Sequence, residues 1–323
     1  MQLRGRLLAL FFLVGASSQS NAVEGPTAAG PIGGTDIRAA LLPPPGVYFG
    51  TLQLAAQTID FLDKDGNPIP GLKDARLTKG VAGPFIYYIP ETKVLGGNVS
   101  FGALVPVAHG CGRLFTGTSS ECNSGIGDPY IEISWSRFFG TYRPSQHAGA
   151  YPIPEGLAVM VGFGTVIPLG KYDASDPLSQ ALSIGTNNWD FAPTIALTYT
   201  TPPILGEGTE FSAKLFWNNY LENPETNYLT GDLMNLDFAI TEHIGRFQVG
   251  LAGFYAWQID DDRIAGTVIP PDGRRGQALQ LGGVIAYDMP EHATSMKLKA
   301  IASPFAENTV TSWNVVFGWI KKY

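Results

Sequence analysis

The chain has 323 residues, a net charge of −7 and only 15 % charged side chains, against about 25 % in ordinary soluble domains. The acidic balance argues against a nucleic-acid-binding protein, because such proteins need basic patches. The 39 glycines, the 11 % aromatic residues and the mean hydropathy of +0.06 favour a β-barrel that is half lipid-facing and half lumen-facing. A soluble enzyme could have the same hydropathy, so composition alone leaves both classes open.

Residues 1–22 have the pattern of a secretory signal peptide. Arg4 and Arg6 precede an apolar run from Leu7 to Gly15, and SNA at 20–22 is a small-x-small cleavage site. The run is too short for a membrane-spanning helix, which needs about 20 residues. We therefore predict Sec-type export and a mature protein that starts at Val23.

Residues 23–45 are rich in glycine, proline and alanine and show little periodicity. This composition predicts an extended or irregular lead-in. We expect it to serve as a lead-in to the first strand or as a plug of the lumen.

From Gly46 onward, apolar and polar residues alternate with the period of two that strands require. Phe247, Val249 and Leu251, for example, share one face and Gln248 lies on the other. The pattern predicts an all-β fold, a transmembrane antiparallel up-and-down β-barrel of about 12 strands over residues 46–323. The predicted strands are 46–60, 78–89, 96–106, 128–139, 156–168, 187–200, 209–219, 232–242, 245–258, 276–288, 294–303 and 311–323.

The connections between these strands alternate in length. The odd ones are mostly long and polar, and the even ones are mostly short, with the long gap 140–155 as the exception. Outer-membrane barrels show this alternation, with both termini on the short side. Aromatic residues also cluster near the predicted strand ends, as in the girdles at the two bilayer interfaces.

The last strand places Trp313, Val315, Phe317 and Trp319 on one face, and Tyr323 ends the chain with the same parity. Such an ending resembles the terminal strand that the barrel-assembly machinery reads, although Lys321 stands where an apolar residue is usual. The tail alone also fits the edge of a soluble β-sandwich. Together with the export signal, it predicts the cell outer membrane of a Gram-negative bacterium, with outer-membrane lipid and the assembly machinery as partners.

Polar residues on the predicted inner faces are candidates for lining the lumen. The two lysines that flank Leu298 must face inward, because a lysine facing lipid at the midplane costs a few kcal/mol. We expect acids from neighbouring strands to neutralise them, and we prefer this interpretation to ion selectivity. The candidates are Glu132, Asp190, Glu210, Lys214, Asn218, Asp237, Gln248, Gln280, Lys297 and Lys299.

Pro193 lies inside an otherwise regular predicted strand. Proline cannot donate a ladder hydrogen bond, so it is a candidate strand break. Either a tolerated bulge or a lateral exit for hydrophobic solutes would fit the pattern, and we prefer the bulge.

The chain has two cysteines, Cys111 and Cys122, and in an exported protein they predict one disulfide. They are too few for a closed zinc site, and we predict no metal and no cofactor. The histidines 109, 147, 243 and 292 belong to no hydrolase or metalloprotease motif. We therefore predict that the protein is not an enzyme.

Several motifs resemble one family, the outer-membrane proteins of the "meta-pathway of phenol degradation", often labelled transporters. The similarity rests on their order and spacing along the chain, and this chain's cysteine pair is not part of the family's motif. The motifs are GGTD at 33–36, LPPPGVY at 42–48, GIGDP at 125–129, PLGKYD at 168–173 and IGTNNW at 184–189, followed by Pro193. The resemblance implies a β-barrel linked to uptake or tolerance of aromatic compounds, and no catalytic residues.

Together, these features predict a channel or transporter for small hydrophobic or aromatic molecules, working by passive diffusion through a mostly plugged lumen. Three alternatives remain open: a structural or adhesive barrel with ligand-binding loops, a soluble periplasmic β-sandwich binder, and a lipid-hydrolysing barrel.

Overall fold

The structure is a computed structural model that describes residues 34–115 and 117–323. The predicted signal peptide and the first part of the lead-in lie outside the described residues. The rest forms one antiparallel barrel with short helical turns in its connections.

Twelve long strands form the barrel. Of the short strands, some extend the barrel sheet and three form a small separate sheet. In chain order the strands are β1 Gly46–Phe61, β2 Arg76–Ile89, β3 Lys93–Val94, β4 Gly97–Leu104, β5 Val107–Arg113, β6 Glu121–Ile126, β7 Tyr130–Arg143, β8 Ile153–Val166, β9 Asp190–Thr200, β10 Thr209–Tyr220, β11 Tyr228–Leu229, β12 Leu233–Ile244, β13 Phe247–Gln258, β14 Arg263–Ile264, β15 Thr267–Val268, β16 Gln277–Met289, β17 Thr294–Glu307 and β18 Val310–Lys322. The helical elements are α1 Pro177–Ala181 and two 3₁₀ turns at Pro70–Leu72 and Pro290–His292.

The barrel closes because β1 pairs with both β2 and the last strand, β18. Around the circle the order is β1, β2, β4, β7, β8, β9, β10, β12, β13, β16, β17 and β18. Each long strand therefore has a partner on both edges, which removes the exposed edges that a spanning sheet cannot tolerate. The predicted twelve-stranded antiparallel barrel is confirmed.

β2 has two partners along one edge. Its second half pairs with β4 and its first half with β5, in one continuous register. β4 and β5 are therefore two parts of one strand, interrupted at Val105 and Pro106. The sequence analysis treated residues 107–127 as a long polar loop, and this was wrong: β5 and β6 form a hairpin that continues the wall. Glycine and small polar residues hide the alternation there.

The described residues contain no helix that is long and apolar enough to cross a membrane. The outer face of the strands is apolar. Its exposed side chains include Ile195, Ile240, Leu251 and Leu298. Near the end at which β1 begins and β18 ends, the rings of Phe49 and Tyr323 meet edge to face, with their centres 5.4 Å apart. Aromatic rings of this kind mark a bilayer interface.

The end at which β1 begins and β18 ends is the periplasmic end, since the short turns lie there in barrels of this type. Lys321, the departure in the terminal strand, sits at this interface with its Nζ 5.2 Å from the ring centre of Tyr323. A lysine at the interface keeps its charge in water, so it does not conflict with a membrane-spanning strand.

Candidate functional site

All ten polar candidates have side chains on the inner face of the barrel. Lys299 and Glu210 are fully buried, and Asp237 is too. The cross-strand pairs place these residues on the same inward rows, for example Lys214 opposite Asp237. Their inward position follows from strand parity, and a role in transport stays a prediction.

A stretch of the lead-in, residues 34–44, runs inside the barrel, and we call it the luminal segment. Asp36 is its main anchor. One carboxylate oxygen accepts from Lys297 Nζ at 2.6 Å and the other pairs with Lys299 Nζ. Asp36 and Lys299 are both 0 % exposed. The two lysines thus share one carboxylate, which comes from the luminal segment and not, as expected, from a neighbouring strand.

Arg38 is the second anchor of the luminal segment. Its guanidinium donates to both carboxylate oxygens of Asp288, at 3.2 and 2.7 Å. Its backbone N–H donates to Glu210 at 2.8 Å, and the other oxygen of Glu210 lies 3.3 Å from His243 Nε2. Charge-assisted bonds of this kind are strong inside a protein, so the segment is tied to three strands.

Hydrogen bonds to side chains of β9, β10 and β12 complete the attachment. Thr35 Oγ1 donates to Asp237 at 2.7 Å, and the backbone N–H of Ala39 donates to Ser212 at 2.8 Å. The N–H of Ala40 donates to Thr198 at 3.0 Å. These bonds tie the segment to β9, β10 and β12, in addition to β16 and β17, and a cavity remains beside it.

The cavity has a volume of about 860 Å³. It is lined by the luminal segment and by side chains of β1, β2, β4, β7, β8, β10, β12, β16, β17 and β18. Leu52, Phe85, Leu104, Met160 and Ile153 belong to its apolar part, and Glu132, Lys214, Asp288 and Lys297 belong to its charged part. Most of the lining surface is apolar, so the cavity suits an occupant that is largely apolar.

A small polar group closes the inner end of the cavity. Tyr130 Oη donates to Glu132 at 2.6 Å, and Lys214 Nζ pairs with the same carboxylate at 2.7 Å. Lys214 Nζ also lies 4.8 Å from the ring centre of Phe216. The charges cancel each other, so this end presents no net charge to a solute.

The extracellular mouth is covered by the connection that carries α1. Leu178 and Ala181 pack against a buried cluster of Phe61, Leu72 and Leu114. Asp176 caps the helix by accepting from the N–H groups of residues 178 and 179. This apolar contact holds α1 at the extracellular mouth of the barrel.

The long turn 144–152 borders the periplasmic mouth and is held by Glu207. The carboxylate accepts from Ser145 Oγ at 2.9 Å and from the N–H of Gly245 at 2.8 Å. Burial raises the pKa of Glu207, but hydrogen bonds from Gln146, Gly245, Ser145 and His147 lower it below its usual value on balance. The turn therefore depends on an ionised Glu207.

Pro193 interrupts the ladder between β9 and β10 without shifting its register. Pairing stops after Phe216 and Thr194 and resumes at Asn219 and Phe191. On the other edge, Pro193 stays paired with Phe163 of β8. The candidate break is a local loss of two pairs in an otherwise closed wall.

Cys111 and Cys122 form the predicted disulfide, across β5 and β6. His109, two residues from Cys111, accepts from or donates to Ser124 Oγ at 2.7 Å. The sequence analysis saw no such Ser–His pair. The other ring nitrogen of His109, Nε2, lies 3.2 Å from Cys111 Sγ. Among the described residues, no carboxylate is hydrogen-bonded to this imidazole, so the acid that orients the histidine in a hydrolase triad is missing there.

The sequence analysis missed the role of the luminal segment's charges, although it noted the GGTD motif that contains Asp36. It also missed Asp128, within the GIGDP motif. In both cases the sequence shows the aspartate only as part of a motif in a glycine-rich stretch. The partners, Lys297 of Asp36 and Thr186 of Asp128, lie far away in sequence.

The family model of the putative MetA-pathway of phenol degradation matches residues 60–300. The chain belongs to this family. The outer-membrane location predicted from the tail and the export signal is confirmed by this membership together with the fold. No curated protein matches the chain.

Among solved structures, the fold is similar to the COG4313 outer membrane channel from Pseudomonas putida F1. The TM-score is 0.72 at 14 % identity, over 89 % of this chain and 99 % of that one. The β domain of the Bordetella autotransporter BrkA has a TM-score of 0.46 at 11 % identity, over 87 % and 100 % of the chains. The first likeness shows that this family member has the fold of an outer-membrane channel.

Proposed function

We propose that the protein is an outer-membrane channel through which small, uncharged apolar or aromatic molecules diffuse passively. The observation that carries this proposal is the apolar cavity inside a closed barrel. A cavity of about 860 Å³ falls in the size range of small-molecule sites. A structural or adhesive barrel has no need for such an interior.

The electrostatics of the lumen support an uncharged solute. Lys214 is paired with Glu132, Arg38 with Asp288, and Lys297 and Lys299 share Asp36. An ion that entered would find these charged side chains already engaged with one another and would lose its hydration among mostly apolar walls. An apolar solute has no such cost, so the cavity selects against ions and sugars.

The luminal segment acts as the plug in this proposal. It leaves the apolar side of the lumen free and fills the polar side, so small solutes share the lumen with it. The proposal rests on the cavity.

Proteoliposome flux tests the proposal. In vesicles whose outer leaflet is lipopolysaccharide, which slows apolar solutes, purified protein should speed the equilibration of a fluorescent aromatic solute across the bilayer and leave arabinose and chloride flux unchanged. Leu104→Trp, which fills the inner end of the cavity, should reduce aromatic flux at least about fivefold, since overpacking leaves no room for the solute. Leu236→Trp, on the lipid face, is the matched control and should retain the flux of the natural chain. Equal aromatic flux in the presence and absence of protein would reject the proposal.

A further inference from the structure

The wall of the barrel separates at one place near its extracellular end. β7 pairs with β8 as far as Tyr130 and Val166. Beyond that row, β6 continues with β5 as its one strand partner in the described chain. We call the boundary between residues 126–131 and residues 167–171 the seam.

Few hydrogen bonds bridge the seam. The backbone N–H of Ile167 donates to Pro129 O at 2.9 Å, and the N–H of Lys171 donates to Ile126 O at 3.0 Å. A continuous pair of strands of this length would have several more such bonds. The seam is therefore the place where the wall opens at the smallest cost in backbone hydrogen bonds.

One side chain, Asp128, clamps the seam. Its Oδ1 accepts from the N–H of Gly170 at 2.7 Å. Its Oδ2 accepts from the N–H of Thr186 at 2.7 Å and from Thr186 Oγ1 at 3.0 Å. A Cβ on Gly170 or Gly185 would come within 2.9 Å of Asp128 Oδ1, so both glycines are required for this close approach.

The outside of the seam is apolar. Ile126 is 59 % exposed and Leu169 is 72 % exposed. Val105 and Ile131 project outward beside them. In the membrane these side chains face the acyl chains of the lipid, so the outer rim of the seam suits an apolar solute.

The cavity ends directly below the seam. Leu104 and Tyr130 both line the cavity. They are also the residues at which β4 ends and β7 begins, next to the interruptions of the wall. One row of side chains therefore separates the cavity from the seam, whereas the packed cluster around α1 lies on the axial route.

We propose that the seam is a lateral passage by which apolar solutes move between the cavity and the outer leaflet, and that the Asp128 clamp holds it closed. This inference rests on the proposed function and adds the route. Opening requires the loss of the clamp, of two backbone bonds and of the hydrogen bond from Lys171 Nζ to Asn123 Oδ1 of β6, while the rest of the barrel keeps its ladders. A solute on this route never enters the aqueous mouth.

The test compares Asp128→Ala with the natural chain in proteoliposomes. Losing the hydrogen bonds to a charged acceptor should shift the seam toward the open state and raise aromatic flux roughly tenfold. Ion conductance across a planar bilayer should stay unchanged, because the axial mouth is still covered. Asp173→Ala also removes an acidic side chain from the same connection, but one that lies outside the clamp. It is the matched control and should leave aromatic flux and ion conductance unchanged.

A second variant keeps the test decisive if Asp128→Ala fails to assemble, which gel mobility before and after heating reveals. Thr186→Val removes one of the three clamp bonds and should raise aromatic flux by a smaller factor. A benzophenone solute should form photo-adducts at the seam, mapped by mass spectrometry to residues 126 and 169.

The outcomes separate the two proposals. If the natural chain passes no aromatic solute, the proposed function fails. If it passes the solute but both clamp variants leave flux unchanged and no adduct maps to the seam, the lateral passage alone is rejected. A parallel rise of aromatic flux and ion conductance in Asp128→Ala would also reject it, because the clamp would then control the axial route.

Discussion

At the scale of residues, the charges inside the barrel matter most, because they hold the luminal segment. Asp36 binds two lysines, one of which is fully buried with it. Removing one partner of a buried pair leaves the other charge uncompensated, at a cost of about 3–5 kcal/mol. The charge at Asp36 is thus the point at which the segment is most easily released.

Asp36→Ala should release the luminal segment. Hydrogen exchange of residues 34–44 should speed up, and ion conductance should appear with a preference for anions, because Lys297 and Lys299 then lose the negative charge of Asp36. Asp65→Ala, which breaks a solvent-exposed pair with Lys64, is the control and should change neither. Unchanged exchange in Asp36→Ala would show that the ion pairs do not hold the segment.

The periplasmic turn 144–152 should loosen in acid. A carboxylate whose pKa is lower in the folded protein stabilises the fold above its unfolded pKa, and the contribution is lost as the pH falls through the lowered pKa. Glu207 has such a lowered pKa. Hydrogen exchange of the turn, corrected for its intrinsic pH dependence, should therefore rise on acidification through that pKa. Glu207→Gln should abolish this pH dependence, and its persistence in the variant would assign it to another group.

At the scale of elements, most strands could be predicted from alternation alone. The strands Phe247–Gln258 and Leu233–Ile244 lie within about two residues of their predictions, because one face meets lipid and the other meets the lumen. The hairpin of β5 and β6 could not be predicted. Its faces carry Gly110, Gly112, Ser124 and Gly125, which give no apolar period.

The candidate site was predictable only in part, for a related reason. Strand parity predicted which polar residues point inward, Lys299 among them. It could not predict that Asp36 and Arg38 would be their neighbours, because those contacts join residues about 260 and 250 positions apart. The chain before Gly46 has no periodicity that reveals its path.

The disulfide should stabilise the β5–β6 hairpin and leave the barrel intact. Cys111 and Cys122 close a loop with a sequence separation of 11, for which loop-closure entropy gives about 3 kcal/mol. Replacing both cysteines by serine should speed hydrogen exchange of residues 107–126, while the gel shift on heating that marks a closed barrel persists. Loss of that shift would mean that the hairpin is needed for the barrel to assemble.

At the scale of the whole molecule, the fold divides the lumen lengthwise. The luminal segment and its ion pairs occupy one part, and a cavity with a mostly apolar lining occupies the part beside them. Closing the barrel satisfies the backbone of every long strand, so the interior is free to differ from one side to the other. The proposed channel function depends on this division.

Locating a heavy-atom aromatic in crystals tests that dependence most directly. Crystals of the full chain soaked with iodobenzene should show anomalous iodine density inside the cavity, among Phe85, Leu104 and Met160. Leu104→Trp crystals should lose this density. Iodine bound only on the outer surface, or unchanged density in the variant, would contradict the account.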